Sequence, residues 1–285
     1  MKQKNKIGIV NCSNGQKTEH RENIEILIQI LNELGLEPVL SEYIYEKENI
    51  FSGSQMQRAK ALMDFYSDEE IKAIYDISGG DIANEILSYL DFEVIKNSAK
   101  RFWGYSDLTA IINAIYAKTG KESVLYQIKN LVYADSENQI QRFKNQINNQ
   151  GDMFDFKYTF VQKEYMEGTV IGGNIRCLLK LAGTEYFPDM EGKILLLEAR
   201  SGRVPQMVTY LNQLKQLKAF DKVSGILLGT FTEMDSKCCK PDIIELIKMY
   251  AGTELPIAVT KEIGHGVDSK AIVIGADLKL GGKLI

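Results

Sequence analysis

The sequence predicts a two-domain α/β protein. An N-terminal Rossmann-like or flavodoxin-like parallel-sheet domain is followed by a strand-rich α/β domain of the swivelling, barrel-like kind. Three observations predict it. The 285 residues exceed the roughly 150 that one domain usually occupies. The first hundred or so residues alternate short β-rich runs with helical apolar stripes, the pattern of a parallel sheet covered by helices. Beyond Asp135 the character changes to a polar, Asn- and Gln-rich stretch, after which strands resume. The division that follows is 1–134, a connection over 135–167, and 168–285.

Each element has a local reason. Ile7 to Val10 is an apolar run of strand length, and Ile24, Leu27, Ile28, Leu31 and Leu34 recur at helical spacing before Gly35, a left-handed cap. A strand around Val39 follows. Ser54 with Gln57 forms a capping box that opens a helix striped with Ala59, Leu62, Met63 and Tyr66. AIYDI is a strand ending at Gly79-Gly80, Asn84 to Leu90 a helix, Arg101 to Gly104 a strand and Leu108 to Lys118 a helix. The segment SENQIQRFKNQINNQGDMFDFKYTF reads as a connection with some local structure.

In the second unit GKILLLEA, GILLGTF, PIAVT, AIVIG and DLKL are strands, and Met207, Tyr210, Leu211, Leu214 and Leu217 stripe a helix. Turn residues at Gly275-Ala276-Asp277 and at Gly281-Gly282 predict terminal hairpins.

Composition narrows the function. With 45% hydrophobic and 25% charged residues and a net charge of −4, the chain is globular, with no electrostatic reason to hold nucleic acid or an anionic membrane. The apolar run in MKQKNKIGIV breaks at Asn11, too short for a signal peptide or a membrane span, so a cytoplasmic protein is expected. Cys12, Cys177, Cys238 and Cys239 lack the paired spacing of a zinc site and are expected to be free thiols. The first strand runs into NCSNGQ rather than GxGxxG, and no GxxxxGK[ST] occurs. With two histidines a histidine-ligated metal is not expected, although carboxylate-bound magnesium stays open; no cofactor is required.

The stretch FWGYSDLTA places Ser106 between a strand and a helix, where two roles compete. A serine there can cap the helix. It can also stand out of a strand-to-helix turn as a nucleophile, with the helix N-terminus facing the developing oxyanion. Both Ser106 and Gly79-Gly80 fall at strand carboxyl ends, where such sheets bind ligands. A serine nucleophile needs a base, and His265 in EIGHGVDS, flanked by glycines, suits close approach better than His20 in the solvated KTEHREN. Glu198 ends the apolar run ILLLEA. It is either the carboxylate that orients such a histidine or a strand-end ion pair with Arg200 or Arg203.

Taken in order along the chain, IGIV, SGGDIANEIL, LDFEVIKNSAKRFWGYSDLTAIINAIYAKTG, GTVIGGNIRCLLKLAGTEYFPDMEGKILLLE and GHG resemble the LD-carboxypeptidase family of serine peptidases. The resemblance covers nearly the whole chain. It implies a triad of Ser106 as nucleophile, Glu198 as orienting acid and His265 as general base. It also implies an oxyanion hole from the N–H groups of Asp107 and of Gly79-Gly80, Asn84 as the asparagine of the glycine-pair loop, and a homodimer without metal.

Two departures bear on substrate. Where many members continue into a stretch resembling TFHGP this chain has SVLYQIKN, and after the glutamate it has ARSGRVPQMVTYL, whose Arg200 and Arg203 could meet a substrate carboxylate or simply face solvent. The implied reaction is release of terminal D-alanine from murein tetrapeptides in cell-wall recycling. The alternatives are an immunity-type peptidase acting on a peptidyl-nucleotide antibiotic such as microcin C, with Phe154, Phe156 and Tyr158 as candidate adenine-stacking rings, or a non-catalytic peptide-binding relative.

Overall fold

Short apolar strands joined by one-sided helices bury both their faces most readily in a parallel sheet sandwiched by helices, and the computed structural model, which describes residues 5–281, has that arrangement. The first part of the chain supplies β1 (Asn5–Val10), β2 (Leu36–Leu40), β3 (Ile71–Asp76), β4 (Phe102–Gly104) and β5 (Ser123–Leu125). The remainder supplies β6 (Thr159–Gln162), β7 (Tyr165–Asn174), β8 (Ile194–Ala199), β9 (Gly225–Phe231), β10 (Ile257–Val259), β11 (Ile272–Ile274) and β12 (Asp277–Gly281). Among the described residues these form two sheets, ordered β11-β5-β4-β3-β1-β2 and β12-β7-β8-β9-β10-β6. β1 to β5 run parallel in the 2-1-3-4-5 order of flavodoxin-like folds, with β11 antiparallel at the edge. In the second sheet β7 to β10 are parallel, and antiparallel β12 and β6 close its two edges into a curled half-barrel. The two-domain α/β class expected from the sequence is the class observed.

Local chemistry sets several boundaries as expected. Ser54 and Gln57 form the reciprocal capping box, and Gly35 takes a left-handed φ of 84° after the helix Arg21–Glu33, which buries Ile24, Leu27 and Leu31. Others differ. The helix expected over 84–90 is a 3-10 helix, Ala83–Tyr89, and the helix after the serine is Thr109–Thr119, preceded by a 3-10 turn over Ser106–Leu108. Ser106 has φ 53°, which an α-helix cannot contain. The polar connection holds a helix, Ser136–Ile147, anchored by fully buried Phe143 against the rings of Tyr75 and Tyr126.

One expectation is overturned. AIVIG and DLKL do not form a hairpin: β11 joins the first sheet beside β5, and β12 joins the second beside β7. The unpaired edges of the two sheets gain more from a strand than a two-residue turn gains from its own partner. Of the second expected turn, Gly281 ends β12 and Gly282 lies outside the described residues.

The seam between the domains is a continuous core. Along β8, Ile194 and Leu196 pack with Ala110, Ile111 and Ala114 of the helix Thr109–Thr119, while Leu195, Leu197 and Ala199 pack under the helices Val204–Gln216 and Ile243–Ala251. Side chains alternate along a strand, so Glu198 shares the face of Ile194 and Leu196, towards the first domain.

Candidate active site

Glu198 therefore reaches the seam from the second sheet, and Ser106 reaches it from the end of β4. The carboxylate of Glu198 is wholly buried, accepting from Asn174 Nδ2 at 3.1 Å and facing His265 Nδ1 at 2.6 Å. A carboxylate only accepts, so the hydrogen sits on Nδ1 and leaves Nε2 with its lone pair towards Ser106 Oγ, 3.1 Å away. Serine, histidine and glutamate thus form one hydrogen-bonded chain across the two domains.

The backbone explains each position. Tyr105 is extended and Ser106 left-handed, a strained turn that lifts the hydroxyl out of the strand axis. Ser106 makes no capping bond to the following helix, so the structure does not give it the structural role that competed in the sequence. The His265 N–H donates to Thr230 Oγ1 at 3.2 Å, and Gly264, with φ 143°, passes so close that an added Cβ would fall 1.9 Å from that oxygen. The ring of Tyr105 packs on the imidazole at 4.5 Å between centroids. Its hydroxyl is buried without a hydrogen-bond partner among the described residues, and desolvation first, then the charge of Glu198, pushes the phenol's pKa well up.

Asp107, singled out in the sequence for its N–H alone, has a second feature. Its fully buried carboxylate accepts from Ser13 Oγ at 2.6 Å and from the Ala83 N–H at 2.8 Å, and is ion-paired with Lys180. Lys180 also donates to the carbonyl of Asp81 at 2.7 Å, and Arg176 bonds the carbonyl of Gly80 at 2.9 Å and pairs with Asp81, whose carboxyl that hydrogen bond holds below the usual range. The second domain thereby holds the Gly79-Gly80 loop beside the serine: a Cβ on Gly79 would lie 4.0 Å from that of Ser106. Arg176 and Lys180 were missed in the sequence, although their i, i+4 spacing directly after a strand was a readable signal.

Ser106 and His265 line a cavity of about 550 Å³ together with Gly79, Gly80, Lys129 and Arg200. It opens at the carboxyl ends of β1, β3 and β4, as expected for a sheet of this order. His20 lies on its exposed rim, away from the serine's hydrogen bonds. Two residues do not reach it. Asn84 is on the exposed face of its 3-10 helix, and Arg203 is bound at the surface to Glu233, Nε to Oε1 2.8 Å. Nor do Phe154, Phe156 or Tyr158 line the cavity. Phe154 packs towards Trp103, Phe156 on the main core, and the Tyr158 hydroxyl accepts from the Gly281 N–H. No cluster of three His, Cys, Asp or Glu side chains able to hold a metal occurs among the described residues, and no helix there is long and apolar enough to cross a membrane.

The class defined so far is a two-domain α/β protein whose seam carries a Ser–His–Glu chain at the mouth of a cavity. Models of the LD-carboxypeptidase N-terminal and C-terminal domains match residues 7–126 and 167–280. YocD of Bacillus subtilis (strain 168) is 31% identical over 281 residues, covering 88% of this chain and 85% of that protein. The microcin C7 self-immunity protein MccF of Escherichia coli is 25% identical over 89% of this chain and 83% of its own. The murein tetrapeptide carboxypeptidase of Pseudomonas aeruginosa is 23% identical, covering 91% and 88%. A crystal structure of an MccF-like protein from Bacillus anthracis superposes with a TM-score of 0.87 at 27% identity, covering 99% of this chain and 95% of the other. The chain belongs to the LD-carboxypeptidase family.

Proposed function

We propose that the protein is a serine-type LD-carboxypeptidase of the cytoplasm that releases the terminal D-alanine of murein tetrapeptides. The observation that carries this reading is the chain from Ser106 Oγ through His265 to Glu198, at 3.1 and 2.6 Å, beside a cavity large enough for a short peptide. In this reading Ser106 attacks the carbonyl of the L-configured residue while His265 Nε2 takes its proton. Glu198 holds the imidazole in the required tautomer and stabilises its cationic form. The N–H groups of Asp107 and of Gly79-Gly80 hold the oxyanion. His265 then returns the proton to the leaving D-alanine, and water hydrolyses the acyl-enzyme through the same base.

The substrate comes from kinship with the murein tetrapeptide carboxypeptidase, and the chemistry from the residues. The immunity-type alternative has no stacking ring among Phe154, Phe156 and Tyr158 to support it, since none lines the cavity. The test is D-alanine release from purified murein tetrapeptide by wild type, Ser106→Ala and His265→Ala. Release by wild type alone is expected. Absence of release by a wild-type protein that still reacts with a serine probe would discard the murein substrate and keep the nucleophile.

A further inference from the structure

Two cations in the cavity have no salt-bridge partner among the described residues. Among the described residues every other arginine has a carboxylate or an aromatic ring as partner: Arg58 has Glu85, Arg101 has Glu122, Arg142 has Asp152, Arg176 has Asp81, Arg203 has Glu233 and Arg21 has the ring of Tyr45. The guanidinium of Arg200 has neither, although it lines the same cavity as Ser106. Lys129 lines it too, and its Nζ meets only the amide oxygen of Gln16, at 3.0 Å.

Their surroundings make the absence of a counter-charge costly. Burial pushes the Lys129 ammonium down to about 8, and the nearby Arg200 pushes in the same direction. The carboxylate that opposes this shift is Asp76, and it is already engaged. It accepts the Cys12 N–H at 2.8 Å, the Ser78 N–H at 2.7 Å and the Ser78 hydroxyl at 2.5 Å. Glu46 also lines the cavity but forms no ion pair with either cation. Two cations held near one another in a partly dry cavity repel, and an incoming anion converts that repulsion into binding energy.

We propose that Lys129 and Arg200 together seat the terminal carboxylate of the peptide whose scissile carbonyl lies at Ser106, restricting the site to substrates that end in a free acid. The proposal rests on the carboxypeptidase reading and names the feature of the substrate that this chain recognises. Arg200 presents a planar fork to both carboxylate oxygens, and Lys129 supplies a point charge from the cavity wall.

The experiment compares a murein tetrapeptide with its C-terminal amide on wild type, Lys129→Met and Arg200→Met, with the rate of fluorophosphonate labelling at Ser106 as the control for an intact centre. Wild type is expected to favour the acid by about ten- to a hundredfold in kcat/KM, the range of a hydrogen bond to a charged group. Each variant should lose most of that preference through KM, with labelling unchanged. Equal turnover of acid and amide by wild type, or a preference kept in both variants, overturns the proposal while leaving the peptidase reading intact. If wild type cleaves neither peptide the murein-substrate reading fails, and calorimetric binding to Ser106→Ala then decides. Acid-over-amide binding abolished by Lys129→Met upholds the carboxylate seat; equal or absent binding overturns it.

Discussion

Asn113 and Gly172 exchange two hydrogen bonds across the seam: Nδ2 of the asparagine donates to the glycine carbonyl at 2.9 Å, and its Oδ1 accepts the glycine N–H at 2.8 Å. One buried side chain thus satisfies both backbone groups of a strand residue beyond the reach of β12, whose pairing with β7 ends at Thr169, where Gly172 and Gly173 have φ 99° and 130°. Gly173 lets the helix close in, since a Cβ there would stand 2.8 Å from Thr109 Oγ1. That contact sets the distance between Ser106, at the head of the helix, and Glu198, one strand over from Asn174.

Replacing Asn113 by alanine leaves a buried N–H and a buried carbonyl unpaired. At about 1–3 kcal/mol for each of the two orphaned groups, chemical denaturation should register a loss of about 2–6 kcal/mol. A loss below about 1 kcal/mol would mean that the seam does not depend on this pair.

Gly264→Ala should act on catalysis more than on stability. The added methyl meets Thr230 Oγ1, the acceptor that holds the His265 backbone, and the φ of 143° disfavours any side chain. A shift of the imidazole by about 1 Å costs about a hundredfold. Steady-state kcat should fall by that order while far-UV circular dichroism stays unchanged.

Asp107→Asn retains the backbone N–H beside the serine and removes the charge that faces Lys180. Breaking a buried ion pair on one side costs about 3–5 kcal/mol. The cost here should lie near the lower end, because Lys180 keeps the Asp81 carbonyl. Denaturation midpoints of Asp107→Asn, Lys180→Met and the double variant would measure the coupling.

Much of this was legible in the chain. Apolar runs and helical stripes marked the strands and helices, and ILLLEA held Glu198 at a buried strand end, where a lone carboxylate needs a partner. Periodicity could not show which partner. The Asp107 carboxylate is served from 94, 24 and 73 residues away, separations that no local pattern encodes. The terminal hairpin failed for the same reason: turn chemistry at Gly275 is local, whereas the edge of β5 that captures β11 is about 150 positions distant. Asn84 and Arg203 followed from resemblance and residue type, and neither carries information about which way a side chain faces.

Lys129 gives the stability a pH dependence of known sign. Its folded pKa, about 8, lies below the roughly 10.4 of an unfolded lysine, so between those values the folded state binds fewer protons. Unfolding free energy should therefore rise as the pH climbs from 8 towards 10.4, with the full penalty present below 8. Burial is the main cause and Arg200 adds to it, Asp76 opposes it, and Tyr133 and His20 border the same cavity. Lys129→Met should stabilise the protein most at pH 7, and the gain over wild type should shrink as the pH approaches 10 in parallel urea titrations.

Ser106, His265 and Glu198 should work as one unit across the seam. Fluorophosphonate labelling followed by peptide mass mapping tests it most directly. A single adduct on Ser106 is expected, formed at least about a thousandfold more slowly in His265→Ala and markedly more slowly in Glu198→Gln, because each removes part of the same relay. Labelling of a different residue, or of Ser106 at an undiminished rate in His265→Ala, would contradict it.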